Sequence, residues 1–307
     1  VAKIKVAVSF IFYPVAMGHY FLRALRRREN IDVWTCGVFT GSWIPWNNGM
    51  YVPSKYVVTP NLILPSSCLT HTCPGEFITA QMPFTPDLVL VIDAGLHFST
   101  RPKGKVVVHI KTDPHVLDQH YSKFAKQCDL SFCMQDAYMK EGDIYLPYAY
   151  DPTIHYNTQA DKETDGCIVG LQYENRVNLA TSLIQKGHKI HCNIGEVYDE
   201  YRNRYNKSRI AISWSSLNDT PARVFEAFGM NIPLLCNRTP DLTRLGYKEY
   251  EHYVGFSNLQ DAIDGFDYLL GNYENSMHMA NSAYKLASSQ DTWDHRIDTI
   301  LHEAGYG

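Results

Sequence analysis

Apolar and polar positions fall in short blocks along the chain, and the blocks follow one another as strands separated by helices. Residues 3–12 read K-I-K-V-A-V-S-F-I-F, an alternation passing into an apolar run, as in a central parallel strand. A helix is predicted over residues 21–28, and further strands over 31–37, 57–64, 87–93, 105–111 and 129–134. The pattern restarts with a strand over 166–171, a helix over 177–186 and strands over 189–193, 210–214 and 232–236. Predicted helices over 259–270, 277–288 and 297–304 close the chain. Such alternation implies parallel sheets with helices on both faces, so the expected class is α/β with two Rossmann-like domains. A polar stretch over residues 157–165, following Leu146-Pro147 and Asp151-Pro152, places the boundary between domains expected over 1–155 and 156–290.

The stretch 212–237 has strand, cap, helix and strand signals in order. Asn218, Asp219 and Thr220 offer side-chain caps just before Pro221, which suits the first helical position. Val224, Phe225, Ala227 and Phe228 supply a buried stripe, and Gly229 is expected to take the left-handed stop. Glu226 stands among these apolar residues. A carboxylate there is costly unless it meets donors, and a polyhydroxylated ligand at the edge of the sheet supplies them. The alternative is a capped core helix whose Glu reaches solvent.

The run Asn218, Arg223-Val224-Phe225-Glu226-Ala227, Gly229 and Pro233 resembles the nucleotide-sugar motif of GT-B glycosyltransferases, most closely the CgeB-like branch of the group 1 family. The resemblance implies two Rossmann-like domains facing a central cleft, with a last helix, over residues 291–307, crossing back to the first domain. It implies a donor site built from Asn218, Asp219, Thr220 and Arg223 near the diphosphate and from Glu226 on the ribose hydroxyls. Gly170, Arg176 and Gly195 resemble the family's other donor-side loops, and Gly18 lies in a first loop that faces donor or acceptor. A helix N-terminus and a planar guanidinium both suit phosphate. Many relatives carry Glu-x7-Glu; here Asn218 stands at the first position.

Other residues gather at predicted strand ends, where open α/β sheets bind ligands. His19 follows the first strand, Asp93 ends the strand over 87–93, and Asp113 and His115 follow the strand over 105–111. His19, Asp93 and Asp113 are the candidate catalytic bases. Trp43, Trp46 and Tyr51 lie in an aromatic loop over residues 40–53 and, with His115, are the acceptor-binding candidates, since exposed aromatic rings stack on sugars or bases. They could equally pin a long loop. No Asp-x-Asp occurs; Cys68, His71 and Cys73 could donate three metal ligands, but no second ligand group with zinc-like spacing is evident, and Asp113, His115, Asp118 and His120 do not share the i, i+4 helical face that paired ligands require. No metal and no cofactor are therefore expected, the nucleotide sugar being a co-substrate.

Net charge is −4 and pI about 6.4, so no global basic field points to nucleic acid, although Arg23, Arg26, Arg27 and Arg28 form a local cluster. Eight cysteines fall mostly in apolar runs and read as free thiols. Apolar runs such as residues 88–92 are too short to span a membrane, and the first residues read as a strand, so a cytoplasmic protein is expected. The function expected is transfer from a nucleotide-sugar donor, a UDP-sugar, to an acceptor that the sequence leaves open among glycan, protein, small molecule and modified DNA. The transfer is expected to be metal-independent and, by the resemblance, retaining; the candidate bases leave inversion open. Two alternatives stand beside it: a phage-type DNA glycosyltransferase acting on hydroxymethylated bases, and a GT-B nucleotide-sugar epimerase or hydrolase. Oligomeric state is open.

Overall fold

The computed structural model describes residues 3–46, 49–93, 95–96, 98–215 and 217–307, apart from the side chains of Asp93 and His120. The chain forms two compact units, one of Val1–Ile44, Tyr51–Pro147 and Trp293–Gly307, the other of Pro45–Met50 and Tyr148–Thr292.

The first unit contains β1 (Ile4–Ser9), α1 (Gly18–Arg26), β2 (Ile31–Val38), the short β3 (Trp43–Ile44), Tyr51 of the short β4 (Met50–Tyr51), β5 (Leu62–Leu64), β6 (Leu88–Asp93), β7 (Val106–Lys111), α2 (Pro114–Ala125), β8 (Leu130–Cys133) and β9 (Asp143–Tyr145). Seven strands form one sheet in the order β5-β2-β1-β6-β7-β8-β9, every neighbouring pair parallel. Strands such as β6 are apolar at successive positions because helices cover both faces; Leu88 to Val91 are fully buried. The strand expected over 57–64 is shorter than its pattern, since a 3-10 turn at Ser54–Tyr56 and extended chain precede Leu62. The aromatic loop contains the two-stranded sheet of β3 and β4, and Asn47 and Asn48 lie outside the described residues.

The second unit contains β10 (Thr164–Val169), α3 (Glu174–Gln185), β11 (Ile190–Asn193), α4 (Tyr198–Asn206), β12 (Ser208–Ser213), α5 (Ala222–Gly229), β13 (Leu234–Asn237), α6 (Pro240–Arg244), β14 (Val254–Phe256), α7 (Leu259–Gly271) and α8 (Tyr273–Gln290). Its sheet, β11-β10-β12-β13-β14, is again parallel throughout. Ile168, Leu179, Leu183, Ile212, Leu235 and Phe266 knit its core. The polar residues 157–165 are held onto this unit: Asn206 Oδ1 accepts from Thr158 N, and Lys207 O from Glu163 N.

The last helix, α9 (Trp293–Glu303), packs on α1 within the first unit. Trp293 is fully buried with its ring 4.8 Å from that of Phe21. Arg27 donates twice to Asp294, at 3.1 and 2.6 Å, and Arg28 donates to Asp298 at 2.7 Å. The arginine cluster of the sequence is thus largely a clamp between two helices, and Arg23 lies over the Tyr56 ring. All eight cysteines are free. Among the described residues no helix is long and apolar enough to cross a membrane.

Candidate functional site

In the second unit the sheet order changes direction between β10 and β12, and an open parallel sheet has its ligand crevice at the strand ends beside such a point. Gly170 follows β10 with φ +142°, a conformation a side chain rarely adopts. A Cβ built on it would stand 2.4 Å from Arg223 Nη2 and 3.5 Å from Arg176 Nη1, so two guanidinium groups converge on the bare backbone there. Arg176, from the first turn of α3, is buried; its Nε donates to Trp214 O at 2.7 Å and its Nη1 to Leu171 O at 2.8 Å, and it lies over the Tyr173 ring. Burial, and then the neighbouring Arg223, push its pKa down to about 10. Arg223 is different: its Nε and Nη1 are sealed from solvent without a hydrogen-bond partner. Two cations side by side, one with unspent donors, make a site for an anion.

The loop before α5 departs from the expected capping. Pro221 is itself the cap residue, the helix starts at Ala222, and no side chain caps it. Asn218 is exposed in the left-handed region at φ +57°, Asp219 Oδ1 accepts from Leu217 N, and Thr220 Oγ1 bonds Thr239 Oγ1. These contacts tie the loop to the chain after β13 and leave the first N–H groups of α5 uncapped by side chains. Gly229 does not make the left-handed stop; Asn231, at φ +55°, does. What Gly229 requires is space, because a Cβ there would lie 2.3 Å from the Tyr150 ring.

Glu226, one turn along α5 from Arg223, is buried at 8% exposure. Its Oε2 accepts from Tyr201 Oη at 2.6 Å, and its Oε1 lies 3.5 Å from His155 Nε2. Neither partner was singled out in the sequence. Tyr201 comes from α4, whose buried side is Tyr198, Tyr201, Arg202 and Tyr205, polar-ended residues that give no apolar period. Only the tyrosine spacing carries the signal. Gly195, at φ +97°, sits between β11 and α4; next to it Glu196 is held by His191 and Arg204. A groove of about 220 Å³ beside Arg176 is lined by Tyr173, Glu174, Asn175, Trp214 and Ser215.

In the first unit His19 is fully enclosed. Its Nε2 donates to Tyr13 O at 2.9 Å, leaving Nδ1 without a partner, and the rings of Phe10 and Phe12 stand edge-on to it. Burial, with Arg23 and Arg26 nearby, lowers its pKa to about 4. At Gly18 a Cβ would meet the Phe10 ring at 2.3 Å, so packing requires the glycine. Asp113 precedes α2 and accepts from Thr112 Oγ1; its N–H donates to Tyr121 Oη at 3.2 Å. His115 is half-buried, its ring 5.9 Å from that of Tyr138. Trp43 and Tyr51 are exposed with ring centroids 4.7 Å apart, and Trp46 is half-buried. The Asp93 side chain lies outside the described residues. Among the described residues no cluster of three or more His, Cys, Asp or Glu side chains is arranged to hold a metal ion.

Comparison with known proteins bears on both units. A glycosyl transferase-like family model matches residues 159–302. No curated protein matches the sequence. Among solved structures, Anabaena HepE in complex with UDP and glucose has a TM-score of 0.64 at 9% identity, covering 97% of this chain and 99% of its own. Sucrose-phosphate synthase from Thermosynechococcus elongatus gives 0.59 at 8% identity and 98% coverage of both chains. A UDP-N-acetylglucosamine 2-epimerase gives 0.57 at 12% identity, with 99% and 98% covered. The family match falls on the unit that carries the paired arginines, and the likeness in fold runs over nearly the whole chain: residues 159–302 match the glycosyl transferase-like family, and the two units together have the GT-B fold of these solved structures.

Proposed function

We propose that the protein transfers a sugar from a UDP-sugar to an acceptor without a divalent metal. The observation that carries this is the convergence of Arg176 and Arg223 on Gly170, with donors of Arg223 left unspent. In the reaction the bond from the anomeric carbon to the β-phosphate oxygen breaks, and the diphosphate leaves with the electron pair. An acceptor hydroxyl forms the new bond and passes its proton to the departing diphosphate oxygen. Charge grows on the diphosphate as the bond lengthens, and fixed guanidinium groups and the uncapped N–H groups of α5 stabilise it there without reorganisation. Glu226 is one helical turn further along and takes the ribose hydroxyls.

Retention is the stereochemistry we propose. For an inverting displacement the bases on offer are Asp93, Asp113 and His19, the last a neutral imidazole no more basic than a carboxylate. Trp43 and Tyr51 offer an exposed ring pair for an acceptor sugar or base to stack on, with Trp46 and His115 as further acceptor candidates. Epimerisation or hydrolysis is the second reading, favoured by the likeness to a 2-epimerase fold. Incubating UDP-sugars with and without glycan, protein and hydroxymethylated DNA acceptors, with mass-spectrometric product analysis, decides between them. Transfer supports the proposal when a sugar-bearing acceptor forms and Arg223→Gln abolishes it; turnover that is equally fast without acceptor overturns it.

A further inference from the structure

Glu226 sits three residues after Arg223 on α5, the spacing at which a carboxylate and a guanidinium on one helix meet. Among the described residues it does not pair with Arg223. It pairs with Tyr201 at 2.6 Å and faces His155 at 3.5 Å. The His155 tautomer follows from its other contact: Asp151 N–H donates to Nδ1 at 3.2 Å, so the ring proton is on Nε2, facing Glu226. The turn that carries His155 is itself fixed. Asp151 is fully buried, its Oδ1 accepts from Thr153 N and Oγ1, and its carbonyl accepts from His155 N at 2.7 Å. The Tyr201 and His155 rings stand edge to face with centroids 6.1 Å apart.

An ionised carboxylate has about four lone-pair sites, of which the Tyr201 hydroxyl occupies one and the His155 Nε2 faces another at 3.5 Å. Left to itself, the Glu226 side chain would fall onto Arg223 and cancel both charges. We infer that Tyr201 and His155 are positioning residues that draw Glu226 away from Arg223, so that its remaining lone pairs meet the donor's ribose diol while Arg223 stays available to the diphosphate. The inference rests on the ribose role proposed for Glu226, and it adds the two side chains that make that role possible.

Calorimetry with UDP and with 2′,3′-dideoxy-UDP reads the diol contact directly. The wild-type protein is expected to prefer UDP by roughly tenfold or more, the scale of a hydrogen bond to a charged group. Tyr201→Phe and His155→Leu are expected to remove most of that preference, weakening UDP more than dideoxy-UDP, which loses only the share of Arg223 that Glu226 then neutralises, and His155→Gln, which keeps a donor near the Nε2 position, is expected to restore it. Circular dichroism melting on each variant reports the fold. The inference is overturned if Glu226→Gln loses the preference but Tyr201→Phe and His155→Leu keep it, or if those two variants weaken both nucleotides equally along with the melting temperature. Should Glu226→Gln keep the preference, the ribose role itself falls and takes the inference with it.

Discussion

Tyr150 is laid so closely on Gly229 that a methyl group on the glycine would stand 2.3 Å from the ring. Tyr150 is buried and its N–H is bonded to Asp291 O, so the ring has little freedom to retreat. Gly229→Ala is therefore expected to cost about 1–3 kcal/mol through overpacking, read by urea denaturation. Adding Tyr150→Leu should recover part of the loss; an unchanged midpoint in the single variant would contradict the contact.

His109 is fully buried in β7 between the rings of Tyr121 and Phe124, and neither ring nitrogen has a partner. Burial, with Lys111 nearby, lowers its pKa to about 3, and His19 is lowered to about 4. Both groups take up a proton in the unfolded chain near pH 6.5 but not in the folded one, so stability is whole above that pH and falls as pH drops toward 4 and 3. For His19 alone the loss is on the order of 3 kcal/mol. His109→Leu should flatten this acid limb and raise the melting temperature at neutral pH, since it removes two unsatisfied polar atoms. A steeper acid limb in the variant would refute the argument.

Lys111 donates to both oxygens of Asp143 at 2.7 and 2.9 Å, with both side chains almost wholly buried. Removing one partner strands the other charge, so Lys111→Met is expected to cost about 3–5 kcal/mol. Changing both partners, as in Lys111→Met with Asp143→Leu, should cost less than the single change when chemical denaturation is compared across the three proteins.

Arg27 grips Asp294 with two hydrogen bonds across α1 and α9, both side chains partly exposed. A double-mutant cycle with Arg27→Ala and Asp294→Asn is expected to return a coupling of about 0.5–1 kcal/mol. The same contact bears on a DNA acceptor. Loss of DNA binding in an Arg27 variant would report a loosened α9 as readily as a lost phosphate contact, so Arg26, which is exposed, is the cleaner probe.

The sequence by itself determined the class of the fold and most of its strands. Apolar runs such as residues 88–91 and 210–212 have to be buried on both faces, and Gly and Pro mark where they stop. Local chemistry also singled out Glu226, because a carboxylate inside an apolar stripe needs an explanation wherever the chain folds. Tertiary structure alone decided what meets that carboxylate. Tyr201 lies on α4, whose buried face is built from tyrosine and arginine and so lacks the apolar period that would announce a helix. His155 reaches Glu226 across more than seventy residues of chain, and no local pattern encodes such a distance. The glycines show the same division: each is visible in the sequence, but whether Gly18, Gly170 or Gly229 is needed for a ring, a guanidinium pair or a turn depends on which distant side chain arrives beside it. Arg27 and Arg28 read locally as free charge, and only the return of α9 turned them into a clamp, because ion pairing depends on proximity in space and not along the chain.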